Sequence, residues 1–230
     1  LVLPGLVDAH THLDKAFTLP RMGTVKPGLL GAIEAITVDR RRWTEADVRE
    51  RANRALQWAF EAGVTHLRTH CDWWEADTQP LAWSVLRELA HDWADRLTLE
   101  RVSLIPLHLY AERATAQALA DRVARTGPGA LLGGFVHTTN WNPQALRHLF
   151  EAAQQHGLNV DLHVDEELNP AACGLATTAA ILQEMAFDGH VVCGHTCALA
   201  MQAQTTALAT LDAVAAVPIP LVTLPIPLLL

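Results

Sequence analysis

The chain opens on an apolar run, residues 1–7, of a length that suits a buried strand, and the run gives way to Asp8, His10 and His12. Behind it the apolar positions switch between two periods. Val48, Ala52, Ala55, Leu56 and Ala59 recur at three- and four-residue steps, which predicts a helix over 46–62. Thr44-Glu45-Ala46-Asp47 opens that helix as a near capping box, and Gly63 stops it. Apolar runs predict further strands at 64–70, 97–107, 130–136, 158–164, 190–195 and 218–224. Helices are predicted from Asp77 or Thr78 to 94, over 111–125, over 143–157 behind the N-cap and proline pair Asn142-Pro143, over 174–187 and over 198–214. Residues 17–38, punctuated by Pro20, Gly23, Pro27, Gly28 and Gly31, predict a long loop with one helical turn at 29–36. A loop of that length at a strand end is more often functional than idle.

Strand and helix alternate about six times without internal repeats or linkers, the pattern of βαβ units and a parallel sheet. A chain of 230 residues fits one barrel domain over 1–230 better than two small ones. An open doubly wound sheet would satisfy the alternation equally; the histidines separate the two. His10, His12, His70, His108, His137, His163 and His195 fall at the carboxyl ends of predicted strands. A barrel gathers those ends on one face, whereas an open sheet spreads them along an edge. The expected fold is therefore α/β, a TIM-type (β/α)8 barrel. His66 and His190 read as core or rim residues, and His91, His148 and His156 as solvated helix residues. Because the sequence starts inside a strand-like run without Met and ends in an apolar Pro-rich string, both ends read as cut, with about seven strands visible.

Half of the residues are hydrophobic, and 25 acidic side chains against 17 basic ones give a formal charge of −8. Such a balance disfavours nucleic acid as a partner. Arg40-Arg41-Arg42 reads as a solvated face. Cys71, Cys173, Cys193 and Cys197 form no paired framework, which points to reduced thiols and a cytoplasmic protein. No apolar stretch reaches the length of a membrane span, and no signal peptide is evident. The expected partner is a small-molecule heterocyclic substrate, with no nucleic acid and no membrane, and a homo-oligomer is compatible with the sequence.

In an extended chain alternate residues point the same way, so His10 and His12 would present two imidazoles to one divalent ion. His163, ending the fifth strand, could supply a third and leave coordination open for water, as catalytic rather than structural sites do. Glu166 follows at the strand-to-helix turn, where a carboxylate can take a proton from water and pass it to a substrate. On spacing alone Asp165 and Glu167 serve as well. His195, after the sixth strand, would orient the water or polarise the substrate. Cys193 and Cys197 read as buried small residues beside it.

Pro4-Gly5-Leu6-Val7-Asp8-Ala9-His10-Thr11-His12-Leu13-Asp14-Lys15, followed in order by Arg68-Thr69-His70-Cys71-Asp72, the 158–166 segment with its His-x-Asp-Glu, and His195, resembles the amidohydrolase superfamily. Within it the likeness is to the cytosine deaminase-like group, and it runs along nearly the whole chain. The resemblance implies a hydrolase acting on carbon-nitrogen bonds other than peptide bonds: a deaminase of a cytosine-like pyrimidine, triazine or related cyclic amidine. It implies that His10, His12 and His163 ligate one divalent metal ion, Fe or Zn, that Glu166 shuttles protons, and that His195 contacts water or substrate. A further aspartate ligand is expected beyond residue 230. Leu107, His108 and His70, at the ends of the third and second strands, are expected to face the substrate. Leu107 stands where cytosine deaminases carry a glutamine, which leaves the ring open. The fourth strand carries no terminal lysine, which argues for one metal rather than two. Cleavage of an N-alkyl or cyclic amide C–N bond is the alternative reaction, and a non-catalytic metal- or ligand-binding barrel the alternative outside enzymes.

Overall fold

The computed structural model describes residues 2–224. Leu1 and residues 225–230, which the sequence places in the first strand and in a Pro-rich tail, lie outside the described residues. Seven strands follow one another in one sheet in chain order, β1 to β7. They are β1 Leu6–Thr11, β2 Val64–Asp72, β3 Thr98–Pro106, β4 Ala130–Val136, β5 Val160–Val164, β6 Val191–His195 and β7 Leu221–Val222. Between them come α1 Leu29–Asp39, α2 Glu45–Glu61, α3 Leu81–Asp92, α4 Arg113–Ala124, α5 Pro143–His156, α6 Gly174–Met185 and α7 Gln204–Ala215. Pairing is parallel between β1 and β2 and from β4 through β7. Each strand joined to the next neighbour across a helix is the winding of a TIM-type (β/α) barrel, seven strands of which are described.

Contacts divide the chain into two compact units, residues 2–71, 80–101 and 224, and residues 72–79 and 102–223. In the first, α2 packs on α3. Val48, Ala52 and Leu56 of α2 and Trp83, Leu86 and Leu89 of α3 are buried, one stripe per helix at three- and four-residue spacing. Thr44 caps α2 as its sequence predicts, its Oγ1 accepting the Asp47 amide at 3.2 Å. In the second unit β4 to β7 carry α4 to α7, and Leu146, Leu149, Phe150 and Ala153 bury one face of α5. Asn142 Oδ1 accepts the amides of Gln144 and Ala145 at 3.0 and 3.1 Å. Gly157 closes the helix with φ 64°.

Several expectations are corrected. The first strand covers Leu6–Thr11 rather than 1–7, because Pro4 has no N–H to give a ladder and the first bond to β2 is Leu6 N–H to the Gly63 carbonyl, 2.9 Å. Its opening residues Leu6 and Val7 are 57% and 68% exposed, not buried. The single turn expected at 29–36 is an eleven-residue helix. Asp39 at its end binds Arg42 and the Trp43 indole nearby and also Arg21, 18 residues earlier, a partner that no local propensity signals. The third helix starts at Leu81 behind Pro80, and α7 at Gln204 behind a 3-10 turn, Cys197–Met201. His148 is half-buried, its Nδ1 donating to the Tyr110 carbonyl at 3.0 Å, where the sequence suggests solvent. His66 and His190 are exposed.

Candidate active site

In the first unit the end of β1 is held against β2 by side chains. Thr11 Oγ1 donates to the Arg68 carbonyl at 3.0 Å and the Leu13 amide donates to Thr69 Oγ1 at 2.9 Å. Asp8 pairs with Leu67 and Thr11 with Thr69, so β1 advances three residues where β2 advances two. A bulge of that kind re-aims side chains at a strand end. The rings of His10 and His12 stand 5.4 Å apart, and His70 of β2 joins them, 4.2 Å from His10 and 5.4 Å from His12. One nitrogen from each of the three lies within 4.8 Å of the others. His70 Nδ1 faces the Thr11 carbonyl at 3.3 Å. A carbonyl only accepts, so Nδ1 carries the hydrogen and Nε2 keeps its lone pair, the arrangement common in metal-binding imidazoles. An all-imidazole donor set fits a borderline ion such as zinc or iron better than magnesium or calcium, which take oxygen.

Beneath this strand end lies a residue that sequence reasoning missed. Arg51 occupies the buried stripe of α2, 7% exposed. Its guanidinium donates to the carbonyls of Asp14 and Ala16 at 2.7 and 2.9 Å and pairs with Asp47 at 2.9 Å. Asp47 in turn holds Arg21 from the long loop at 2.6 Å. The Arg21 hydrogen bonds hold the Asp47 carboxyl well below the usual carboxylate range. The available signal was an arginine three residues after Val48, inside an apolar stripe.

In the second unit His163, Glu166 and His195 stand at or just beyond the ends of β5 and β6. His163 is 3% exposed, Glu166 8% and His195 6%. Glu166 Oε1 lies 3.2 Å from His195 Nδ1, and the His163 and His195 rings are 4.6 Å apart. The backbone here is unusual: Asp165, His195 and Thr196 have φ of 54°, 69° and 51°. Left-handed conformations at non-glycine residues cost roughly 1 to 3 kcal/mol each and gather at functional sites. The Thr196 amide bonds to the Val164 carbonyl at 3.0 Å and the Ala198 amide to the Asp165 carbonyl at 3.2 Å, which hold the strained turn in place. Both rivals of Glu166 have other work. Asp165 accepts the amides of Gly174 and Leu175 at 3.0 and 2.9 Å at the start of α6. Glu167 accepts the Thr138 amide at 2.7 Å and its hydroxyl as well.

No family model matches the chain. A Pterin deaminase from Rhizobium rhizogenes is 36% identical over 98% of this chain and 51% of its own length. A 5-methylcytosine deaminase structure from Klebsiella pneumoniae superposes with TM-score 0.79 at 24% identity, covering 95% of this chain and 53% of its own. An N-isopropylammelide isopropylaminohydrolase structure from Burkholderia multivorans gives 0.78 at 24% identity, covering 96% and 56%. The chain belongs to the amidohydrolase superfamily, in its deaminase-like group. It spans about half the length of the curated relatives it matches.

The remaining amidohydrolase positions read as follows. β3 ends in a 3-10 turn, Leu107–Tyr110, in which Leu107 is fully buried and His108 exposed. His70 is likewise fully buried. β4 ends at Val136 and is followed by His137, with no lysine there. Burial pushes the Cys193 thiol far up, and burial together with the nearby Glu166 charge raises that of Cys197, so both stay protonated. Among the described residues no helix is long and apolar enough to cross a membrane.

Proposed function

We propose that this amidohydrolase removes an exocyclic amino group from a small nitrogen heterocycle by hydrolysis, releasing ammonia. The observation that carries the reading is the Glu166–His195 pair at 3.2 Å, flanked by two acids engaged in backbone capping, in a chain 36% identical to a Pterin deaminase. His10, His12 and His163 are the proposed ligands of one divalent ion, Fe or Zn, with His70 packed beside the first two. Bound there, such an ion supplies Lewis-acid chemistry that makes water acidic enough to attack near neutral pH.

The chain's own residues then divide the work. Glu166 takes a proton from the attacking water and returns it to the departing amine, so one carboxylate serves as base and then as acid. His195 fixes the Glu166 carboxylate and directs its second nitrogen toward the water or the developing charge at the attacked carbon. The strained turn at His195 and Thr196 keeps that ring from relaxing away. Arg51 anchors the backbone behind His12, which fixes where the imidazoles stand.

Ammonia release from aminopyrimidines, aminotriazines and pterins by the metal-loaded protein tests the reading. Free ammonia supports it. An alkylamine or a ring-opened acid as the product instead overturns it in favour of another C–N hydrolysis.

A further inference from the structure

His137 stands at the end of β4 on a defined face of the sheet. Side chains alternate along β4, so Gly133, Phe135 and His137 share one face and Val136 takes the other. Phe135 pairs in register with His163 of β5, and paired residues on parallel strands point the same way. The opposite face is turned to α6: a Cβ on Gly174 would meet Val136 Cγ1 at 2.9 Å and Val164 Cγ2 at 2.7 Å. Phe135 and His137 therefore lie on the face that carries His163. His137 sits two residues further toward the strand ends, about 6.6 Å along β4.

The ring is fixed in place and in tautomer. The His137 amide donates to Asn140 Oδ1 at 3.0 Å, the Asn140 amide donates back to the His137 carbonyl at 3.0 Å, and Asn140 Nδ2 reaches the Phe135 carbonyl at 2.9 Å. Glu167 ties down the next residue, Thr138, through its amide and hydroxyl. The Thr139 amide donates to His137 Nδ1 at 3.1 Å. Because an amide N–H only donates, Nδ1 holds a lone pair and the ring hydrogen sits on Nε2. The imidazole is stacked on Phe135, centroids 5.6 Å apart and planes 19° from parallel. His137 is 7% exposed, and on its Nδ1 side Thr139 Oγ1 lies at 2.9 Å and Glu167 Oε1 at 3.8 Å.

We propose that His137 is a substrate-recognition residue, its Nε2–H donating to a ring carbonyl oxygen of the heterocycle, with the Phe135 ring beside it as an apolar wall. The inference rests on the deaminase reading and narrows it: the substrate is a planar amino-oxo ring, an aminated lactam, rather than an all-amino ring. A site built to hydrogen-bond one substrate oxygen discriminates against analogues lacking it, because the donor is then left buried and unsatisfied. Glu167 is the positioning residue of this arrangement, acting through Thr138.

The test compares two rings that differ only in the carbonyl, cytosine and 4-aminopyrimidine, on the metal-loaded protein and on His137→Leu and His137→Gln. The parent should prefer the carbonyl ring. His137→Leu should lower kcat/KM for that ring by about 10- to 100-fold and leave the carbonyl-free ring within about 3-fold. His137→Gln, which retains a donor, should recover part of the preference. Equal losses on both rings, or an unchanged preference in His137→Leu, would overturn the assignment. Calorimetric titration with uracil, together with the 15N shifts of His137, reads the same bond without turnover. Weaker binding in His137→Leu and an Nε2–H tautomer in the parent support it, even where the deaminase reading itself fails for want of ammonia. An Nδ1–H tautomer or undiminished binding overturns it.

Discussion

The Glu166 carboxylate meets Nδ1 of His195 at 3.2 Å, across the ends of two neighbouring strands. Glu166→Gln preserves the side chain's size but cannot take a proton. Turnover should fall by about 10² to 10⁴, the usual worth of a positioned acid-base group. Asp165→Asn and Glu167→Gln remove a cap or a loop tether instead, and kcat should fall far less in either. A fully active Glu166→Gln beside an inactive neighbour would transfer the role to that neighbour.

His10 and His12 are proposed to bind the metal as a pair. A double His10→Ala, His12→Ala variant should lose stoichiometric iron or zinc, measured by elemental analysis after exhaustive dialysis. Undiminished metal content would place the ion elsewhere. Chelation of the parent should abolish activity, and adding back either ion should restore it.

The clamp on the long loop should show as a pH-dependent stability. The Asp47 carboxyl titrates below its ordinary value of 3.8 because Arg21 and Arg51 hydrogen-bond its charged form. Its contribution is therefore complete above 3.8 and is lost as pH falls through the lower folded value. Asp47→Asn should melt at a lower temperature than the parent near neutral pH, and the gap should close as the solution is acidified below 3.8. A gap that stayed constant through this acid range would show that the carboxylate charge is not what holds the loop.

Gly133 tests the packing behind the proposed recognition strand. A Cβ there would lie 2.5 Å from Val102 Cγ1 and 2.6 Å from the Ser103 carbonyl. Backbone cannot swing aside, so Gly133→Ala should destabilise by about 1 to 3 kcal/mol, the range of overpacked cores. Urea denaturation measures it; an unchanged midpoint would mean that β3 and β4 separate easily.

Much was legible in the sequence because it is local. Period-3.6 spacing placed the helices and short apolar runs the strands, and the caps at Thr44 and Asn142 act through bonds two or three residues away. The strand-end histidines led to the expectation of a barrel, since a parallel winding brings strand ends to one face. What the sequence left open was decided by contacts distant along the chain. Asp165, Glu166 and Glu167 are equivalent by spacing; the choice between them came from α6, which takes Asp165 as a cap, and from Thr138, 29 residues before Glu167, which takes that side chain. The same holds for Arg51, whose partners Asp14 and Ala16 lie 37 and 35 residues earlier. The sequence alone determined which side chains could do chemistry; only the tertiary structure decided which are occupied by the fold, because a carboxylate's role depends on the nearest donor and that donor is set by packing.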